Sequence, residues 1–232
     1  MNTLRSTILI HTAAWAPGLF LLFRILTDQL TADPIQDVTL QTGKYALILL
    51  MASLSMTPLK NLSGWSWTMT ARKWFGVYAF FYALAHFLIY IGLDYGFAWV
   101  YILPEVVQKP YLMVGSLAFL ILNLLAITSF RWWMDRLGRV WTHLHRLVYG
   151  AGLLVVLHFA WVRKGDLFSL QGDMAEPFLY GIGFLALMVL RIPAIRRKLS
   201  LQRKKGQNLN QTDPGQRVVR RIQRPNAGVK SE

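Results

Sequence analysis

The chain of 232 residues contains no cysteine. That excludes disulfides, iron–sulfur clusters, Cys-rich zinc sites and the C-x-x-C-H attachment of c-type haem. Acidic residues are scarce, 11 Asp and Glu against 25 Lys and Arg. Charged residues make up only 16% of the chain, well below the roughly 25% of a soluble domain. No G-x-G-x-x-G or P-loop occurs, and no internal repeat is evident. Alternation at period two is missing, which argues against a β-barrel.

What is present is apolar. Hydrophobic residues make up 54% of the chain and aromatic residues 13%. They fall into runs of about twenty, the length a helix needs to cross roughly 30 Å of hydrocarbon. The pattern predicts an all-α integral membrane protein, a six-helix transmembrane bundle with spans near 6–26, 44–58, 73–93, 111–130, 140–162 and 176–192. The second and sixth read as short. Pro58 is expected to close the second, and Pro110 to open the fourth, where a missing N–H does no harm. The first span is expected to remain uncleaved. Most tryptophans fall near span ends, as an aromatic belt requires.

Charge sorts the connections. The 27–43 loop holds Asp28, Asp33 and Asp37 without a base, and the 94–110 loop holds Asp94 and Glu105. The 163–175 loop holds Asp166 and Asp173 beside Arg163 and Lys164, a discordant pair. The 59–72 and 131–139 loops are basic. The positive-inside rule then makes both termini cytoplasmic. Of the 25 Lys and Arg residues, 12 lie from Arg191 onward, which places the net charge of +14 beside lipid head groups and not on nucleic acid. Two regions follow: 1–194, the six-span domain, and 195–232, a basic cytoplasmic tail expected to be disordered and too short for a nucleotide-binding domain.

Five histidines are present. An ionisable side chain within a span is a functional candidate by default, and neutral imidazole is the usual axial ligand of haem iron. At 1.5 Å per residue, His86 lies about 12 Å and His158 about 8 Å from the outer ends of their spans. That common depth suits the two axial ligands of one b-type haem. His143 and His145 lie near the inner end of the fifth span. His145 is roughly 20 Å along the helix from His158, and on an ideal helix their side chains differ by some 140°, against about 60° for His143. Gly150 and Gly152 lie between as sites for a kink. Geometry does not choose between His143 and His145. The third span has no second histidine at the inner depth, where His11 of the first span is the other candidate. A complete outer bis-histidine site and an incomplete inner site, suited to a quinone, a flavin or a further haem, are expected.

Several segments resemble one family. They are ADPIQDVTLQTGKYAL at 32–47 with TPL at 57–59, AHFLIY at 85–90, KPYLMVG at 109–115, and W-x-x-L-H-R-L-V-Y with L-H-F at 141–159. They are similar to the haem-binding membrane subunit of the protein-methionine-sulfoxide reductase system, within the ferric-reductase-like transmembrane group. The resemblance covers roughly residues 5–195. It implies that the family's histidines fall on His86, His145 and His158, with His86 and His158 axial to iron and His145 a further candidate ligand. It also implies haem b, FMN, and a multi-pass place in the bacterial inner membrane. Electrons would come from quinone and pass to a periplasmic molybdopterin-containing methionine-sulfoxide reductase, the substrate chemistry residing on that partner. No FMN motif is recognisable. The competing reading is a proton-coupled transporter with a histidine relay. Against it, the spans show no acidic residue to partner a relay and no inverted repeat.

Overall fold

The computed structural model describes residues 3–164, 175–193, 195 and 197. The helices are α1 (Thr3–Leu26), α2 (Pro34–Ser63), α3 (Trp67–Ile89), α4 (Trp99–Gln108), α5 (Pro110–Ile127), α6 (Arg131–Leu137), α7 (Arg139–Leu144), α8 (Leu147–Lys164) and α9 (Ala175–Val189). A π-helical turn, Tyr90–Asp94, prolongs α3. No strand occurs among the described residues. Five segments are long and apolar enough to cross a membrane, and α9 is a shorter apolar helix. The basic tail of 195–232, apart from Ile195 and Arg197, lies outside the described residues, as do Asp166 and Asp173.

Helix α2 is the chief departure from expectation. It is 30 residues long, about 45 Å, where a short span was expected. Its start is set by Asp33, whose side chain accepts from the Gln36 N–H, with Pro34 in the first turn. The segment read as an acidic loop is therefore partly helix. Pro58 does not end it. The helix continues to Ser63 and stops at Gly64, whose left-handed φ of 76° lets its N–H reach the Lys60 carbonyl. Asp37 explains the long overrun. It is buried, pairs with Arg24 of α1 at 2.9 Å and accepts from the Thr31 N–H at 3.2 Å, which fastens the α1–α2 turn.

The long helices run antiparallel in chain order and define two ends. One carries the acids of the 27–33 and 95–109 connections, and the other carries the basic connections. Helix α4, unforeseen in the sequence, lies in the acidic-end connection. Its Ile102 is buried while Val100, Leu103 and Val107 stay exposed. Lys109 follows it, bonded to Glu105, and this bond holds the ammonium above its ordinary pKa. Helix α9 is anchored at both ends. Glu176 bridges Lys44 of α2 and Arg163 of α8, and Arg191 reaches Tyr149 of α8 and the Leu54 carbonyl of α2. Arg163, discordant in the loop pattern, is thus paired. Fully buried alanines, Ala14, Ala79 and Ala151, let the helices approach closely, while large apolar side chains along α1 face outward, as lipid contact requires.

The chain holds a repeat that its letters hide. Helix α2 packs along α3 and α5 along α8, with α3 against α5 and α2 against α8. Within the two pairs, Gly43, Ala46, Leu50, Ala79 and His86 correspond to Gly115, Ala118, Leu122, Ala151 and His158. Each member of the second set follows its counterpart by the same number of positions. Both pairs run in the same directions, so they are related by rotation about the bundle axis and not by inversion. The repeat is not evident in the sequence because only a few small residues and the histidines recur.

Candidate functional site

His86 projects from α3 and His158 from α8, and their ring centroids lie 6.2 Å apart with the planes at 76°. Each ring is tied by its other side. His86 Nδ1 is 2.8 Å from the Thr39 carbonyl oxygen, and His158 Nδ1 is 2.8 Å from that of Tyr111. A carbonyl only accepts, so Nδ1 carries the proton in both rings and Nε2 keeps its lone pair. That is the tautomer a metal-bound imidazole requires, with the backbone as its orienting partner. Donor and acceptor are 47 residues apart in both bonds, a direct consequence of the repeat.

Glycines make this approach feasible. A β-carbon built at Gly43 would stand 3.0 Å from His86 Nδ1, and one at Gly115 would stand 2.7 Å from both Cε1 and Nδ1 of His158. Each glycine lies one turn after the carbonyl that holds the ring, so one side of each imidazole rests on bare helix backbone. Thr39, Gly43, Tyr111 and Gly115 are not among the residues that the sequence marks as functional. Their signal was the shared spacing to a histidine, which becomes visible once the two helix pairs are aligned.

The separation of the pair matches that of two imidazoles sharing one metal ion. Imidazole–metal bonds of about 2.0 Å and ring radii of about 1.1 Å put two axial centroids roughly 6.3 Å apart. The observed 6.2 Å agrees, and both rings retain accessible surface. Among the described residues no cluster of three or more His, Asp or Glu side chains offers a rival metal site.

The remaining histidines are not brought to this pair. His145 caps the end of α7, where the fifth span breaks before α8, not at Gly150 or Gly152 as expected. Its ring lies on Trp141 at 4.0 Å, its Nδ1 is 3.2 Å from the Trp141 carbonyl, and its Nε2 is 3.4 Å from Ser129 Oγ. The break removes the basis of the ideal-helix azimuth. His143 is exposed, with Nδ1 3.2 Å from the Arg139 carbonyl. His11 is engaged by Tyr78 Oη at 2.8 Å and packs on Trp74. Neither approaches His145 to form a second pair.

A bundle of apolar helices presenting two neighbouring, backbone-anchored imidazoles defines a multi-pass membrane protein with a buried histidine pair. In agreement, residues 40–157 match the family model described as "Ferric reductase like transmembrane component". A protein of Xanthomonas axonopodis pv. citri, named "Protein-methionine-sulfoxide reductase heme-binding subunit MsrQ", is 42% identical over 187 residues, 78% of this chain and 82% of the relative. Proteins of the same name from Xanthomonas campestris pv. campestris and Rhodospirillum rubrum are 45% and 41% identical, over 70% and 76% of this chain and 71% and 83% of theirs. The chain belongs to the MsrQ family of ferric-reductase-like, multi-pass membrane proteins. No solved structure matches it.

Proposed function

We propose that this chain is a transmembrane haem b electron-transfer subunit of a methionine-sulfoxide reductase system. In this reading it passes electrons from the quinone pool to a periplasmic, molybdopterin-containing reductase that repairs oxidised proteins. His86 and His158 are the axial ligands. The observation that carries the proposal is their ring centroids lying 6.2 Å apart with both Nδ1 protons committed to backbone carbonyls.

Bound haem supplies a one-electron redox couple. Held by both His86 and His158, a haem would supply electron transfer and not oxygen binding. Thr39 and Tyr111 hold the imidazole tautomers and their orientation, which keeps rearrangement on a change of charge small. Their backbone carbonyls are fixed by helix geometry, so no side chain has to move. The apolar walls of α2, α3, α5 and α8 exclude water. The basic end faces the cytoplasm, which places the histidine pair nearer the periplasmic face, on the side of the electron acceptor. His145, at the basic end, is proposed as a ligand or contact of an inner redox group. FMN, implied by the family resemblance alone, belongs to the same proposal without an assigned ligand residue.

The family name carried by the relatives supports the haem and the reductase system. A proton relay gains nothing from the site, since both Nδ1 protons are held by acceptors that cannot pass them on. The test is a reduced-minus-oxidised visible spectrum of the detergent-purified protein. Sharp low-spin haem b bands are expected, with at least a tenfold loss of haem in His86→Ala and in His158→Ala. Wild-type haem content in both variants would overturn the ligand assignment.

A further inference from the structure

At the basic end of the bundle, one turn of α2 organises a second polar site. Ser53 Oγ donates to the Arg72 carbonyl of α3 at 2.7 Å. Pro58 has no N–H, so the Leu54 carbonyl four residues earlier lacks its helical donor. The Arg191 guanidinium supplies it through Nη2, and Nη1 donates to Tyr149 Oη, with the cation 4.7 Å from that ring. These contacts use one N–H of each terminal nitrogen.

Two polar atoms of this corner, the buried Arg191 Nε and Thr57 Oγ1, have no hydrogen-bond partner at all among the described residues. Thr57 lies one turn beyond Leu54 on α2, so both belong to the same corner. A buried polar group without a partner costs about 1–3 kcal/mol and calls for an explanation. The electrostatics point the same way. Arg72 and Arg191 are half-buried and act on each other as like charges, and Arg72 also bears on His145. No described carboxylate offsets them. The four ion pairs among the described residues all lie at the acidic end. Asp135, the described acid at the basic end, is exposed and bridges neither arginine.

We propose that Arg191 Nε and Thr57 Oγ1 form a binding site for a phosphate group. An oxyanion offers acceptor oxygens to both groups and negative charge to the Arg191 guanidinium, and it satisfies them at once. The group is either the head of a phospholipid in the adjoining leaflet or a phosphate arriving from water, since the corner lies at the end of the bundle. The site is independent of the histidine pair, so the haem reading stands or falls separately.

The test uses the full chain in detergent, freed of lipid, with its melting temperature followed by tryptophan fluorescence. Inorganic phosphate is compared with chloride at equal ionic strength, and dioleoylphosphatidic acid with dioleoylglycerol. Thr57→Val removes an unpartnered hydroxyl and nothing else, so the ligand-free melting temperature is expected to hold or rise. Arg191→Lys keeps the charge but lacks Nε. Stabilisation of the wild type by a phosphate-bearing probe, with apparent affinity about tenfold weaker in both variants, is the expected result. A response to phosphatidic acid alone assigns the site to lipid, and a response to inorganic phosphate assigns it to a water-borne group as well. Absence of any phosphate-specific stabilisation, or equal affinity in wild type and Thr57→Val, overturns the proposal.

Discussion

The histidine pair depends on what its neighbours lack. Gly115 touches His158 more closely than Gly43 touches His86, 2.7 Å against 3.0 Å for the nearest ring atom from a built β-carbon. Both clashes involve a ring held by its own hydrogen bond, so relief requires that bond to stretch. Gly115→Ala is therefore expected to lower haem retention severalfold and broaden the low-spin bands. Gly43→Ala should show the same effect more weakly. Gly181→Ala, where nothing lies within 4 Å, should leave the spectrum unchanged. Equal spectra for all three variants would show that the close approach is unnecessary. The two histidines were legible in the sequence as ionisable residues at matched depth. Their glycine supports were not, because a lone glycine in an apolar helix carries no label until its neighbour is known.

Among the elements, α2 does most to order the molecule. It contacts α1, α3, α8 and α9, and serves three separate anchor points, with Thr39 and Gly43 at His86, Lys44 at Glu176 and Leu54 at Arg191. Its overrun at the acidic end rests on the buried Asp37–Arg24 pair. Removing one partner of such a pair leaves an uncompensated charge and costs about 3 kcal/mol. Asp37→Ala should show that loss in denaturant unfolding of the purified protein, with the haem spectrum of the surviving folded fraction unaltered. A wild-type unfolding curve would mean that the pair is solvated in the bilayer interface. The sequence misread this helix for two physical reasons. Its first turns carry Asp37 and several threonines and glutamines, which resemble a loop by hydropathy. Pro58 resembles a terminus, but a lost helical bond is tolerable when an arginine from another segment replaces it.

For the whole molecule, the repeat has an energetic consequence. His86 belongs to the α2–α3 pair and His158 to the α5–α8 pair, so any group bound by both is a clasp between halves. A ligand that binds the folded state alone stabilises it by mass action, about 4 kcal/mol at a thousandfold excess over its dissociation constant. Haem-free protein should accordingly melt lower than haem-loaded protein. The double variant His86→Ala/His158→Ala should melt like the haem-free form whether or not haem is supplied. A haem-loaded melting temperature in that variant would place the stabilising site elsewhere.

The sequence by itself determined the membrane class, the sites of the long apolar helices, the basic and acidic sorting of the connections, and the two histidines at one depth. All of these follow from composition and from a rise of 1.5 Å per residue, which are local properties. It also carried the family segments. Tertiary structure alone decided that His86 faces His158, which carbonyls select their tautomers, that His145 stands at a helix break, and that Arg191 replaces a bond lost at Pro58. Each of these joins residues far apart in the chain through helix rotation and packing. A hydropathy pattern is blind to both, because it records how apolar a segment is and not which neighbour each of its faces meets.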